Sequence, residues 1–89
     1  MRIVITVIGK DRIGIVSDVS LVCKELGINI LDITQKVFDD LFAMVMLASV
    51  ENRDIPFGDI VDKLENHGET MGLKIHAMHE DIFNSMHRI

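Results

Sequence analysis

The sequence has few of the residues that stabilise secreted proteins or that bind nucleic acids and membranes. It has one cysteine, so no intrachain disulfide can form, and we expect a reducing compartment. It has no tryptophan and no tyrosine, whereas sheets that read RNA stack its bases on exposed aromatic side chains. No apolar run approaches the ~20 residues of a membrane-spanning helix, and the start does not resemble a signal peptide. These absences predict a cytoplasmic protein that binds neither nucleic acid nor membrane.

Basic charge is also scarce. Nine Lys and Arg residues stand against 14 Asp and Glu residues, so the formal net charge is −5 and the pI is near 5.1. Phosphate backbones and anionic lipids are bound by clustered Lys and Arg, so this balance again argues against such partners. Apolar residues are abundant instead, at 48% of 89 residues. Length and composition together predict one domain, residues 1–89, with a hydrophobic core.

The spacing of the apolar residues predicts four strands and two helices. Strands are indicated by β-branched residues with apolar positions at every second residue, and helices by apolar positions three and four apart. The turn at Asp39 and Asp40 makes the second and third strands a hairpin. The C-terminal residues 81–89 have helical spacing but are too few to fold without a surface to pack on. The expected strands are 2–9, 28–38, 41–50 and 73–79, and the expected helices are 14–26 and a segment from Pro56 to Gly68 or Gly72.

This order of elements predicts an α+β fold, the ferredoxin-like βαββαβ sandwich. Right-handed crossovers place both helices on one face of a four-stranded antiparallel sheet, and a short C-terminal helical turn follows. The first and third strands are apolar on both sides, so the second face of the sheet lacks a cover. We therefore expect a homodimer, joined by sheet faces, by strand edges or by helix stripes at a shared sheet. Alternatively, the C-terminal turn covers part of that face.

The loop Gly9-Lys10-Asp11-Arg12-Ile13-Gly14 is the candidate binding site. It joins the first strand to the first helix, and its two glycines can adopt backbone angles that other residues avoid. The free backbone N–H groups at a helix N-terminus attract an anionic group such as a carboxylate. Asp11 and Arg12 add one charge of each sign, which suits a zwitterion such as an amino acid. The same residues also fit an ordinary turn with a solvated charge pair.

Other functions of proteins with this element order find little support in the residues. A soft-metal chaperone needs a Cys-x-x-Cys pair in the first loop, which has no cysteine. An acylphosphatase-type hydrolase needs an arginine cradle, and Arg12 with Asn29 is a thin match with no base or nucleophile nearby. His76 and His79 point to opposite faces of a strand and make a poor metal pair. Cys23 lies on an apolar helix stripe and is expected in the core. We expect no metal site, no cofactor and no catalytic residue.

Two motifs make the sequence similar to the ACT domain family. The loop at 9–14 has the form G-x-D-R-x-G, and residues 27–30 form a G-x-N-I turn into the second strand. The resemblance covers essentially the whole chain and implies a single ACT domain. The tail at 82–87 resembles that of a small group of bacterial and archaeal single-domain ACT proteins related to the glycine-cleavage repressor type.

The resemblance implies a regulatory role. ACT domains generally bind amino acids or other small ligands and couple that binding to an enzyme or a transcriptional response, and they usually pair. Their ligand often lies between the first loop of one subunit and the second strand of another. By position, Asp11 and the backbone at the helix start would hold one end of the ligand, and Asn29 and the backbone after it the other. The corresponding positions are Gly9, Asp11, Arg12, Gly14, Ile15, Asn29, Ile30 and Leu31.

No catalytic or DNA-binding domain accompanies these elements in the sequence. We therefore expect a module without catalytic activity, whose output acts in trans on an enzyme or a regulator or is absent. A second interpretation remains open. The protein could bind no ligand and regulate a partner through its sheet face or its C-terminal tail.

Overall fold

Seven elements follow one another in the computed structural model, which describes residues 1–51 and 54–86. Their order confirms the predicted ferredoxin-like fold, and β2, β3 and β4 have the bounds expected from the sequence. Residues 87–89 of the predicted C-terminal turn lie outside the described residues. The elements are β1 (Arg2–Lys10), α1 (Ile15–Glu25), β2 (Ile28–Phe38), β3 (Leu41–Val50), α2 (Phe57–Met71), β4 (Leu73–His79) and α3 (Glu80–Met86).

The four strands form one antiparallel sheet in the order β2-β3-β1-β4. The central strand β1 pairs with β3 on one side and with β4 on the other, while β2 pairs only with β3. Strands β2 and β4 are therefore the edges. Because β1 and β2 both run antiparallel to β3, they run in the same direction, and their first residues lie at the same end of the sheet.

The hydrophobic core lies between one face of the sheet and the helices α1 and α2. Burying an Ile, Val, Leu or Met side chain stabilises a fold by roughly 1.5–3 kcal/mol, so these residues supply most of the driving force for folding. The most deeply buried members are Ile3, Ile5 and Val7 from β1, Ile15, Val19 and Cys23 from α1, Met44, Met46 and Ala48 from β3, and Ile60 and Leu64 from α2.

Strand β2 contains a β-bulge that was not predicted from the sequence. Ile30 lies opposite Ala48 and Asp32 lies opposite Leu47, so Leu31 has no partner in the ladder. The extra residue reverses the alternation of side chains, because a shift of one residue moves every later side chain to the other face. Unbroken alternation along residues 28–38 predicts that Ile30 and Asp32 share a face; the bulge places them on opposite faces, so that prediction is wrong.

Gly9 has a different role from the one expected. It lies within β1, paired with Phe42 and Leu73, and is not part of the loop. A Cβ atom there would lie 2.6 Å from Cδ2 of Leu73 and 3.2 Å from the carbonyl oxygen of Gly72. Its lack of a side chain thus permits close packing of β1 against the start of β4. Gly14 does have the expected left-handed backbone, with φ of 90°.

Helix α3 covers one end of the open face, which is the sheet face opposite α1 and α2. It packs against β1 and β4, and Glu80 Oε2 lies 2.9 Å from Arg2 Nε. On the same face of β1, Val4 is 3% exposed whereas Ile8 is 47% exposed. The C-terminal helix therefore covers part of this apolar face, which was the alternative expectation to a homodimer, and leaves the remainder uncovered.

Gly68 provides a test of how closely α2 packs on β4. A Cβ atom there would lie 2.8 Å from the carbonyl oxygen of Leu73 and 2.9 Å from Cγ1 of Ile75. Because overpacking a core contact typically costs 1–3 kcal/mol, Gly68→Ala is expected to lower the free energy of unfolding by about 2 kcal/mol. Urea denaturation measures the change. The matched control is Gly58→Ala in the same helix, where a Cβ meets nothing within 4 Å.

This control variant should gain up to about 1 kcal/mol, because alanine favours a helix more than glycine does. If both alanine variants were equally stable, the close approach of α2 to β4 would be contradicted.

Candidate functional site

The loop between β1 and α1 presents the backbone amides of a helix start. Gly14 is the N-cap residue, and its carbonyl oxygen accepts the first helical hydrogen bond from Asp18 N at 2.9 Å. Among the described residues, no side chain forms a capping hydrogen bond with the free amides of this first turn. Unpaired amides and the positive end of the helix dipole together favour a bound anion. The expected role of the Gly14 and Ile15 backbone therefore fits the geometry.

The two charged residues of the loop have different environments. Arg12 Nη1 lies 3.1 Å from Asp18 Oδ2 and donates to the carbonyl oxygen of Ile13, also at 3.1 Å. The Asp11 carboxylate has no recorded hydrogen bond or ion pair with the described residues. Asp11 is therefore the freer charge, while Asp18 partly neutralises Arg12. Asp18 was not among the predicted site residues, although an acidic residue in the first turn of a helix is a recognised signal.

A backbone contact fixes the loop against the hairpin that joins β2 and β3. The Asp11 N–H donates to the carbonyl oxygen of Asp40 at 2.7 Å. Asp39, the other residue of this turn, has φ of 55°, a left-handed value that aspartate tolerates. The loop consequently lies beside the end of the edge strand β2. This contact joins distant parts of the sequence, so no local sequence pattern predicts it.

The second group of candidate residues lies at the beginning of β2. Asn29 is exposed, and the bulge leaves the backbone of Leu31 outside the ladder with β3. Bulges on edge strands often free backbone groups next to binding sites. An open groove of about 410 Å³ lies here, lined by Ser20, Lys24, Gly27, Ile28, Asn29 and Ile30. Ser20 and Lys24 were not predicted, although their spacing of four places them on one face of α1.

The structure does not bring these two groups together within one chain. The loop follows the last residue of β1, whereas Asn29 pairs with Ser49, which pairs with Arg2 at the first residue of β1. Lys10 is eight residue steps along the strand from Arg2, or roughly 26 Å at the usual rise per residue. The predicted residues thus form two half-sites at opposite ends of the sheet, Gly9 to Ile15 at one end and Asn29 to Leu31 at the other.

Apolar side chains accompany the unpaired edge of β2. Ile33 and Val37 lie opposite the buried residues Met46 and Phe42, yet they are 38% and 48% exposed. On α1, Leu21 is also exposed. An edge strand of 11 residues with unpaired backbone groups and apolar side chains tends to pair with another strand. This edge is therefore a candidate contact surface.

Chemically reactive groups are scarce in the part of the chain that the structure describes. Cys23 is buried, and burial raises the pKa of its thiol to about 11. Among residues 1–51 and 54–86, no three His, Cys, Asp or Glu side chains are grouped so that they could hold a metal ion. Within the same residues, no helix is both long and apolar enough to cross a membrane.

Comparison with known proteins gives a consistent result. The family model of the ACT domain matches residues 1–78. A UPF0237 protein of Methanocaldococcus jannaschii is 48% identical over 88 residues, which cover 99% of this chain and 98% of that protein. An ACT domain protein from Streptococcus pneumoniae has a TM-score of 0.83 and 40% identity, covering 93% of both chains. A putative glycine cleavage system transcriptional repressor is 27% identical with a TM-score of 0.74, covering 86% of this chain and 44% of its own.

Proposed function

The chain belongs to the ACT domain family, in the UPF0237 group found in archaea and bacteria, and from this membership we propose that it is an amino-acid-binding regulatory module that acts as a homodimer. ACT domains are regulatory domains that typically bind small ligands. We propose two things beyond this family property, namely that the ligand is an amino acid and that the protein is a homodimer. The half-sites and the edge of β2 support both of them.

The observation that carries the proposal is the position of the two half-sites relative to the edge strand. If two copies pair β2 with β2 antiparallel about a two-fold axis, the start of one β2 lies beside the end of the other. The loop of the first copy is already fixed beside the end of its own β2 by the bond from Asp11 to Asp40. Asn29 of the second copy would then approach that loop, and each dimer would have two composite sites.

The chemistry of the composite site suits an amino acid. The backbone amides at the start of α1 would donate hydrogen bonds to the α-carboxylate. The Asp11 carboxylate and the side-chain oxygen of Asn29 from the second copy would accept hydrogen bonds from the α-ammonium group. The ammonium group would thus be held from both copies, by Asp11 of one and Asn29 of the other. Binding would therefore stabilise the dimer, and a regulated enzyme or regulator would respond in trans.

Ligand binding can be tested by a thermal-shift screen of the 20 amino acids. A ligand at about 100 times its dissociation constant stabilises a protein by about 2.7 kcal/mol. We expect Asp11→Ala and Asn29→Ala each to weaken binding by about tenfold, because each removes an acceptor for the ammonium group. Asp62→Ala, on the exposed side of α2, is the matched control and should bind as the wild type does.

A mixing experiment distinguishes a site between subunits from a site within one subunit. Neither single variant has an intact composite site, but a mixed dimer has one site with both Asp11 and Asn29. Random mixing should therefore restore about a quarter of the tight sites, because half of the dimers are mixed and each has one intact site of two. Absence of any recovery would contradict the composite site, and absence of any amino-acid shift in the wild type would contradict the ligand class.

A further inference from the structure

The uncovered half of the open face is a band of apolar side chains between basic ones. Ile8, Leu41, Val45 and Phe38 are between 40% and 52% exposed. The ladder places Lys36, Ala43, Ile8 and Lys74 side by side across all four strands. Three strand spacings separate the two lysines, or about 14 Å between their Cα atoms. Small Ala43 and Ile8 lie between them, so the face offers an apolar floor with a cation on each side.

The two lysines, Lys36 and Lys74, form no ion pair within the described residues that would stabilise the folded chain. The Lys36 ammonium group does lie 5.0 Å from the centre of the Phe38 ring. Carboxylates lie around the band, at Asp32 in one direction, at the turn residues Asp39 and Asp40 in the other, and at Glu65 and Glu69 of α2 beyond the β4 edge. In a chain with net charge −5, this pair of exposed cations around an apolar floor is a local exception.

Helix α3 indicates what kind of partner this face accepts. It packs on the same face, against β1 and β4, and its first turn is acidic. Its Glu80 forms an ion pair with Arg2 while Val4 becomes buried. The chain thus already seats one acidic helix on the open face, with a carboxylate on a cation and the apolar positions below. An α-helix with its side chains is about 10–12 Å wide, which matches the gap between Lys36 and Lys74.

We propose that the uncovered half of the open face docks an acidic amphipathic helix of a partner protein, seated over Ile8 and Ala43 between Lys36 and Lys74. A second copy of the same face fits poorly, because a symmetric contact would set lysine against lysine. Nucleic acid fits less well than an acidic helix, because Phe38 is the only strongly exposed aromatic side chain among the described residues and the net charge is negative. This inference goes beyond ligand binding and does not depend on it.

Fluorescence anisotropy with designed peptides tests this surface. The probe is a labelled amphipathic peptide of about 18 residues, long enough to form a helix, with Leu on one face and Glu on both flanks. A second peptide has Lys in place of every Glu, and a third probe is a single-stranded oligonucleotide. We expect the acidic peptide to bind the wild-type protein most tightly, and Lys36→Gln with Lys74→Gln to weaken it by about tenfold.

The control is Lys63→Glu on the exposed side of α2, which changes the net charge by the same amount and should leave the acidic peptide's affinity unchanged. An equal loss in this control would attribute binding to overall charge and overturn the proposal. So would equal affinity for the acidic and basic peptides, or no binding of the acidic one. Tighter binding of the oligonucleotide, lost in the double variant, would identify a nucleic-acid surface instead. Because ligand binding is measured separately, failure here leaves the composite site unaffected.

Discussion

Replacing Ile33 and Val37 by glutamate is expected to convert the proposed dimer into a monomer of 10.0 kDa. Both side chains lie along the unpaired edge of β2, and both are partly exposed in a single chain. In an antiparallel β2–β2 pair the partner's strand would cover both side chains, Ile33 near the two-fold axis and Val37 near the end of the pair, so the variant would bury carboxylates without partners. Burying unpaired carboxylates costs several kcal/mol, so the dimer dissociation constant should rise at least about 100-fold. Sedimentation equilibrium measures it.

A control variant separates this local effect from a general effect of charge. Asn66→Glu with His67→Glu adds the same number of negative charges on the exposed side of α2, which packs by β4 and is remote from β2. This variant should sediment as the wild type does. A wild-type protein that is monomeric at about 100 μM, or a control that dissociates equally, would contradict pairing through β2. Circular dichroism of both variants verifies that the protomer remains folded.

The elements of the fold could be predicted because each has a local pattern of its own. β2, β3 and β4 were delimited to the residue, since Gly27, the turn at Asp39 and Gly72 interrupt the apolar runs. The bulge at Leu31 was not predicted. Ile30 and Leu31 are both apolar, so the alternation breaks there, but only pairing with β3 shows that one residue is extra. Similarly, Gly9 resembles a turn glycine in the sequence, but contact with Leu73 determines its role.

The candidate site was predictable in its parts but not in its arrangement. Helix-start amides and the free carboxylate of Asp11 follow from the order of residues around Gly14. The pairing of Arg12 with Asp18 depends on rotamers, and the bond from Asp11 to Asp40 depends on the sheet. Lys36 and Lys74 form one row across the sheet only because the bulge sets the register of β2. Side chains brought together by register cannot be found from spacing alone.

Cys23 is expected to react with iodoacetamide about 100-fold more slowly in the folded protein than in the unfolded chain at pH 8. Its pKa is raised by burial from 9.0 to about 11, so the reactive thiolate is about 100-fold less populated in the folded state. The burial of the sulfur adds to this effect by restricting access. Mass spectrometry of the native protein and of the urea-unfolded protein, sampled over time, measures the two rates. Equal rates would contradict the buried position.

The same shift makes stability dependent on pH in the alkaline range. Below pH 9 the thiol is protonated in both states, and its contribution to stability is complete. As the pH rises from 9 towards 11, the Cys23 thiol loses its proton in the unfolded chain before it does so in the folded protein. The free energy of unfolding therefore falls, by about 2 kcal/mol at pH 11. Cys23→Ala lacks the titrating group, so the difference between wild type and variant should change by that amount between pH 8 and pH 11. Parallel stability curves would show instead that the Cys23 pKa is the same in both states.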